Sequence, residues 1–315
     1  MTHTPLGPGN EFDHIRALLE RWGPLAEGIG DDAAVLTPPA GQQLVVSTDA
    51  TVEGVHFRRE WMSARETGAR GAMAALSDLA AMGATAHGVL VSLVVPDEWR
   101  ALLPEFAAGI GETVRAASAR IIGGNIANGA KFSATFTVLG FAASPVRRSG
   151  ATPGDVLYVT GTLGGPVAAL AAWERGALPE PRARQRFLHP QARLPEGQWL
   201  AAHGARAMID ISDGLAADAR HLAAASGLVA ALEVKNVPHF SFVTAETALI
   251  SGEEYELLVA LSEEGAESVA AAFVRRFSLP LTRVGLLQTV LAGGGQFPNS
   301  SVRVELPGGH DHFSR

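Results

Sequence analysis

The feature that most constrains this chain is an alternation of short apolar strand segments with amphipathic helical segments, separated by turns rich in glycine and proline. Residues 11–22 carry apolar side chains at helical spacing, and residues 44–48 form a short apolar strand. The alternation restarts after a polar, proline- and glycine-containing stretch at 144–154. Alternation in both halves predicts an α/β or mixed α+β architecture. We expect two domains, residues 1–142 and residues 143–315.

Composition excludes several kinds of site. The chain has no cysteine, which rules out disulfides, thiolate metal sites and cysteine nucleophiles. The net charge is −7 and no basic stripe is present, so we expect no nucleic-acid partner. Lys131 and Lys235 are the only lysines among 25 basic residues, so we expect any cation that holds a phosphate to be an arginine.

Targeting and membrane signals are weak in this sequence. The longest apolar run, residues 89–95, is too short to span a bilayer. The first residues lack a basic segment followed by an apolar run, the pattern of a signal peptide. We therefore expect a cytoplasmic protein with no membrane partner.

Several aspartates stand at the ends of predicted strands. Asp32 follows a Gly-Ile-Gly turn, and Asp49 directly follows the strand at 44–48. Asp210 and Asp213 lie where an apolar segment gives way to a helix. Ligands of α/β folds bind at such strand ends, and Mg²⁺ prefers carboxylate oxygens. An aspartate beside a glycine is also typical of turns and helix caps, so each one taken alone has a structural alternative.

The standard motifs of other phosphate-binding and hydrolytic classes are missing. The nearest approach to a P-loop, residues 124–131, places its lysine one residue late. The glycines at 28 and 30 precede a predicted strand, whereas a dinucleotide-binding fingerprint follows one. The sequence also lacks the protein-kinase motif set, H-E-x-x-H and G-x-S-x-G.

Six segments, in order along the chain, resemble the thiamine-monophosphate kinase family. They are residues 30–36, 47–57, 76–84, 148–155, 209–215 and 251–258. Each match is short, but six in the family's order are unlike a chance similarity. The resemblance implies an aminoimidazole-ribotide-synthetase-like fold. In that fold an N-terminal domain binds ATP and Mg²⁺ and pairs its sheet with that of a second subunit, giving a homodimer, and a C-terminal α/β domain completes the site.

The resemblance also implies roles for individual residues. The implied magnesium ligands are Asp32, Ser47, Thr48, Asp49, Asp78, Asn125, Asp210 and Asp213. The implied ATP contacts are Gly124, Asn125, Arg148 and Ser212, with Arg148 as a fixed positive charge on the phosphates. The implied thiamine-phosphate contacts are His56, Glu253 and His310. Within these sets we expect Asp49, Asp213 and Arg148 to act most directly on catalysis.

This chain departs from the family pattern at several positions. The commonest family sequence Gly-Gly-Asp-Thr is replaced by residues 123–126, which put Asn125 where an acid is usual. Asparagine keeps one oxygen but loses a charge, so we expect a metal cluster that is one charge lighter. Gly165 replaces a usual aspartate, Glu254 replaces an aspartate conservatively, and His310 replaces a larger aromatic residue.

The implied reaction is ATP-dependent phosphorylation of thiamine monophosphate to thiamine diphosphate by direct in-line transfer, with ATP as co-substrate and bridging Mg²⁺ ions. Two related classes of enzyme are less consistent with this sequence. Selenophosphate synthetases generally use a cysteine or selenocysteine, and this chain has no cysteine. The purine-pathway synthetases carry a segment rich in Gly, Thr and Lys, and this chain has only two lysines. A non-catalytic ATP- or metal-binding regulator is the alternative from another class. The arginine-rich stretch 182–186 is expected to be a solvated loop.

Overall fold

The computed structural model describes residues 10–27, residue 29 and residues 33–289, with side chains from residue 13 onward. Within these residues the chain forms two compact units, one containing Ala84–Ser144 and the residues up to Leu79, the other containing Ala80–Gly83 and the residues from Pro145. No helix in these ranges is both long enough and apolar enough to cross a membrane.

In the first unit the elements are α1 (Asn10–Trp22), β1 (Gln43–Val52), α2 (Ala64–Ala81), β2 (Thr85–Val95), α3 (Leu103–Ala116), β3 (Arg120–Asn128) and β4 (Ser133–Ala142); the last residues of α2 belong to the second unit. The strands form one sheet in the order β1-β4-β2-β3. β4 pairs antiparallel with both β1 and β2, whereas β2 and β3 are parallel. The sheet therefore ends at β1 on one side and at β3 on the other.

One face of this sheet is buried and the other is exposed. Along β1 the side chains alternate: Val45 is 8% exposed, while Leu44 and Val46 are 46% and 52% exposed. Trp99, Phe106 and Phe132 are fully buried in this unit, with Trp99 stacked on Phe132 at a centroid distance of 3.9 Å. We call the other side the open face; it carries Leu44, Val46, Thr48, Ser92, Asn125, Thr135 and Thr137.

The second unit contains the elements α4 (Gly165–Glu174), α5 (Pro181–Leu188), α6 (Leu194–Ala202), α7 (Leu215–Ala225), α8 (Ala245–Leu249), α9 (Ala266–Phe277), β5 (Val156–Thr160), β6 (Ala207–Asp210), β7 (Leu228–Leu232), β8 (Leu257–Leu261) and β9 (Leu281–Thr289). The sheet has the order β6-β8-β5-β9-β7, and every pairing in it is antiparallel. Leu215 and Leu222 of α7 share a buried core with Leu258 of β8 and Val284 of β9. Because β6 and β8 are antiparallel, the end of β6 lies beside the start of β8.

The local structure differs from the local sequence pattern at four places. Residues 33–36 form no strand, and β1 continues to Val52, because Ala50, Thr51 and Val52 still pair with β4. Asp49 therefore lies inside a strand. The glycines at 123 and 124 do not form a turn but pair with β2 inside β3. Residues 182–186, expected as a solvated loop, lie in helix α5: Glu180 caps this helix through the backbone N–H groups of Arg182 and Ala183, and Pro181 occupies the first turn.

Candidate active site

Ser47 and Asp78 meet where β1 faces α2, and Asp49 lies on the same face of β1 as Ser47. Ser47 and Asp49 project from the same face of β1 because strand side chains alternate. The Ser47 hydroxyl donates a hydrogen bond of 2.5 Å to Oδ2 of Asp78 on α2. Oδ1 of Asp49 accepts from the backbone N–H of Ala50 at 2.8 Å. Each of these side chains is half-buried, so their oxygens face a partly shielded environment.

Thr48 and Asn125 lie on the open face, away from Ser47 and Asp49. The Thr48 and Thr137 hydroxyl oxygens are 3.1 Å apart. Asn125 pairs with Ser92 across the β2–β3 boundary. Since Ser92 in turn pairs with Thr135, polar side chains run across three strands of this face. The predicted ligand set of the first unit is thus divided between two faces, and Thr135, Thr137 and Ser92 carry no sequence signal that would have pointed to them.

His56 lies in the turn that follows β1. Its Nδ1 accepts a hydrogen bond of 3.1 Å from the backbone N–H of Val52. With Nδ1 acting as an acceptor, the neutral ring carries its proton on Nε2. Glu53 in the same turn accepts a hydrogen bond of 2.8 Å from Nε1 of the buried Trp99. The turn is therefore tied to the aromatic core, and His56 is set up as a hydrogen-bond donor.

Gly124 is exposed within β3, and its backbone approaches β2 closely. A Cβ atom at Gly124 would overlap the carbonyl oxygen of Val91. The position therefore accepts only glycine. Glycine is also the residue that lets a backbone approach a ligand closely.

In the second unit, Arg148 lies beside the free edge of β6. The carbonyl oxygen of the preceding Arg147 accepts a hydrogen bond of 3.0 Å from the backbone N–H of Met208 in β6. Nearby, Arg206 forms an ion pair of 2.7 Å with the buried Asp155. Arg148 itself is exposed, as a residue that binds a phosphate from solvent must be.

The turn after β6 holds a cluster of three aspartates. Asp210 ends β6 and is 4% exposed, Asp213 is half-buried, and Asp218 on α7 is 1% exposed. Oδ2 of Asp218 accepts from the backbone N–H groups of Ser212 and Asp213, both at 3.1 Å. Burial, followed by the charges of Asp210 and Asp213, raises the pKa of Asp218 to about 8. Asp218 was not among the predicted site residues, although an acidic residue in the first turn of α7 is a sequence signal for this position.

Glu253 is brought to the same turn by the antiparallel pairing of β6 with β8. Its backbone N–H donates to the carbonyl oxygen of Ser212 at 2.7 Å, and the N–H of Tyr255 donates to Ile211 at 2.9 Å. Glu253 and Tyr255 have positive φ angles of 58° and 53°, which residues other than glycine rarely adopt. Strained backbone of this kind clusters at functional sites.

The donor chemistry of both units fits a hard cation. The oxygens of Ser47, Asp49 and Asp78 in the first unit, and the mutually repelling carboxylates after β6 in the second, suit Mg²⁺. Within the described ranges, however, no group of three or more His, Asp or Glu side chains is arranged to hold one metal ion. Asp32 and His310, also predicted as site residues, lie outside the described residues.

Comparison with known proteins identifies the family. Residues 30–142 match the family model described as AIR synthase related protein, N-terminal domain, and residues 152–288 match its C-terminal domain. Thiamine-monophosphate kinase of Salmonella typhimurium (strain LT2) is 33% identical over 305 residues, covering 91% of this chain and 92% of that protein. The chain belongs to the thiamine-monophosphate kinase family. The family and the two-domain AIR-synthase-like fold predicted from the six segments are thereby confirmed.

Two further similar proteins differ in the share of this chain that they cover. Thiamine-monophosphate kinase of Mycobacterium tuberculosis (strain CDC 1551 / Oshkosh) is 39% identical over 204 residues, which cover 64% of this chain but 61% of that relative's length. A solved structure, AaThiL complexed with AMPPCP and TMP, has a TM-score of 0.75 and 29% identity, with 96% of each chain covered. The fold of the family therefore extends over nearly the whole of this chain.

Proposed function

We propose that this chain transfers the γ-phosphoryl group of ATP to the phosphate of thiamine monophosphate, giving thiamine diphosphate and ADP. The observation that carries the proposal is the turn after β6, where Ser212, Asp213 and Glu253 are held together by the Glu253–Ser212 backbone hydrogen bond of 2.7 Å. Family membership supplies the reaction class. A related structure that covers 96% of this chain was solved with AMPPCP and TMP.

The reaction needs little proton transfer. An oxygen of the thiamine monophosphate phosphate attacks the γ-phosphorus in line, and the bond from that phosphorus to the β–γ bridging oxygen breaks, so that ADP leaves with the electron pair. The attacking oxygen is already ionised at neutral pH, so no strong general base is required. The protein must instead align the two substrates and reduce the repulsion between two polyanions.

Oxygen-bearing side chains on β1, α2, β3 and the turn after β6 would hold the magnesium ions. In the first unit they are Ser47, Asp49 and Asp78 on the face toward α2, and Thr48 and Asn125 on the open face, with Asp32 from outside the described residues. In the second unit they are Asp210 and Asp213. Bound Mg²⁺ supplies positive charge that offsets the charges on the transferred phosphoryl group. Since Asn125 is neutral, this set carries one negative charge fewer than a set with aspartate at that position.

The remaining residues bind and orient the substrates. Arg148 contacts the ATP phosphates as a permanent cation, and Gly124 and Ser212 contact the nucleotide. The Nε2–H of His56 donates to a phosphate oxygen of thiamine monophosphate, because its Nδ1 is occupied by the Val52 N–H. The Glu253 carboxylate faces the cationic thiazolium, and His310, outside the described residues, is proposed as a further contact of thiamine monophosphate.

The direct test is an assay of the purified protein with thiamine monophosphate, ATP and Mg²⁺, following thiamine diphosphate by chromatography. We expect one molecule of thiamine diphosphate to form for each molecule of ADP released. ATP binding without any diphosphate would overturn the proposal and favour a non-catalytic regulator.

We further propose that the apolar part of the open face, at Leu44 and Val46, forms the homodimer interface. Leu44 and Val46 on the edge strand β1 are 46% and 52% exposed on that face, an apolar surface that pairing with a second sheet would cover. Val46→Asp is expected to convert a dimer into a monomer in sedimentation-velocity experiments, because a buried unpaired carboxylate is costly. The matched control is Val274→Asp on α9, where the valine is 43% exposed. A Val46→Asp protein that stays dimeric would contradict the assignment.

A further inference from the structure

A network of buried charges lies beneath the loop that carries Glu253. Ser251 and Glu254 are 0% exposed and Glu256 is 1% exposed. Nη2 of Arg186, from α5, donates to the backbone carbonyl oxygen of Glu254 at 2.9 Å and to Oε1 of Glu256 at 3.0 Å. The same nitrogen lies 3.4 Å from Oε2 of Glu254. One guanidinium therefore holds both the main chain and two side chains of this loop.

Each carboxylate has further partners that fix its position. Glu254 Oε1 accepts from the Ser251 hydroxyl and from the backbone N–H of Gly164, both at 2.5 Å. Glu256 Oε2 accepts from Nε of Arg193 at 2.8 Å and from the Thr160 hydroxyl at 2.6 Å. These carboxylates are thus anchored to β5, to the turn before α4 and to the start of α6. Arg186 extends that anchorage to the backbone of the loop.

The contact from Arg186 falls at the strained part of the loop. The carbonyl oxygen it binds belongs to Glu254, which stands between the two residues with positive φ, Glu253 and Tyr255. Left-handed backbone at such residues costs free energy and persists only where surrounding contacts determine it. The N–H groups of the same two residues bind the main chain of Ser212 and Ile211. A clamp on Glu254 therefore fixes the direction of the Glu253 side chain relative to Ser212.

We infer that Arg186 is a positioning residue, which holds the Glu253 loop in its strained conformation and so orients the Glu253 carboxylate toward substrate. The inference rests on the proposed function for the role given to Glu253. The earlier expectation that residues 182–186 form a solvated loop was wrong at this position, because the Arg186 side chain is 16% exposed and paired with two buried carboxylates. Arg182 on the same helix is exposed.

Hydrogen–deuterium exchange tests the clamp without reference to activity. In Arg186→Met we expect the amides of Glu253 and Tyr255 to exchange about tenfold faster or more, because both hydrogen bonds need the loop conformation that Arg186 holds. The control is Arg182→Ala, which removes an exposed arginine from the same helix and should leave this exchange unchanged. Unchanged exchange in folded Arg186→Met would overturn the inference.

A double-mutant cycle with Glu253→Gln tests the link to substrate. We expect Arg186→Met alone to lower kcat/KM for thiamine monophosphate by about 10- to 100-fold, and KM for ATP to change far less. In the Glu253→Gln background the same change should cost no more than about threefold, because the side chain being positioned is already altered. If the two substitutions lowered kcat/KM independently, so that the loss in the double variant equalled the product of the two single losses, Arg186 would not act through Glu253.

Arg186→Lys covers the case in which Arg186→Met does not fold. Lysine keeps the positive charge but cannot place a donor at the position of Nη2. We therefore expect Arg186→Lys to exchange the amides of Glu253 and Tyr255 faster than wild type and to have a lower kcat/KM. Wild-type values in a folded Arg186→Lys protein, where Arg186→Met does not fold, would overturn the inference. If the wild-type protein makes no thiamine diphosphate, the proposed function fails, while the exchange measurement still decides whether Arg186 orders the loop.

Discussion

Asp213→Asn is expected to lower kcat for thiamine diphosphate formation by about 100-fold or more, even at saturating Mg²⁺. The substitution keeps the size of the side chain but removes one of the charges in the turn after β6. The backbone N–H of residue 213 can still donate to Asp218, a hydrogen bond of 3.1 Å in the wild type. Because Asp213 also repels Asp218, losing its charge should leave the free energy of unfolding within about 1 kcal/mol of wild type.

The measurement is steady-state turnover as a function of Mg²⁺ concentration, together with urea unfolding of the same preparations. Glu264→Gln serves as the matched control, since Glu264 is an exposed acid in the same unit and its loss should leave both quantities unchanged. If Asp213→Asn turned over at a near wild-type rate, the metal-binding role proposed for Asp213 would be wrong.

The sequence could predict residues whose motifs are local, such as the turn at 210–213. It could not predict partners that only the strand order creates. Ser212 and Glu253 are far apart in the chain, and their main chains become hydrogen-bonded because β6 and β8 pair antiparallel, with Asp210 opposite Leu257. The sequence argument placed ligands at strand ends as in parallel α/β sheets. That argument does not explain the aspartates after β6, since every pairing of this sheet is antiparallel.

Two misjudged positions have a common physical cause. Asp49 looked like a strand terminator because a carboxylate follows an apolar run, but ten residues of β4 pair with β1, and this pairing outweighs the local polarity. Arg186 looked solvated because its neighbours in sequence are arginines. The helix α5 turns Phe187 and Leu188 inward, and Arg186 then faces two carboxylates supplied by a loop almost seventy residues later, with sequence separations of 68 and 70. A charge pair between residues this far apart in the chain leaves no periodic pattern in the sequence.

Asp218→Ala is expected to lower the free energy of unfolding by about 2–4 kcal/mol, whereas Asp218→Asn should cost less than about 1 kcal/mol. Alanine leaves the buried N–H groups of Ser212 and Asp213 without the acceptor that they now share. Asparagine keeps an acceptor oxygen at nearly the same place. Urea unfolding at pH 7 in EDTA measures both differences, and an asparagine variant as unstable as the alanine variant would contradict the role of the hydrogen bonds.

The same pair of variants gives a pH dependence of known sign. The pKa of Asp218 rises from 3.8 to about 8 on folding, mainly through burial, so the folded protein binds more protons than the unfolded chain between these values. The contribution of Asp218 to the stability of the metal-free protein should therefore fall as pH rises from about 4 to 8. Asp218→Asn removes the titrating group, so its stability should fall less over that range. Bound Mg²⁺ favours the ionised carboxylate, so adding Mg²⁺ should reduce the difference in slope between the two proteins. Parallel slopes in EDTA would show that Asp218 does not titrate in this range.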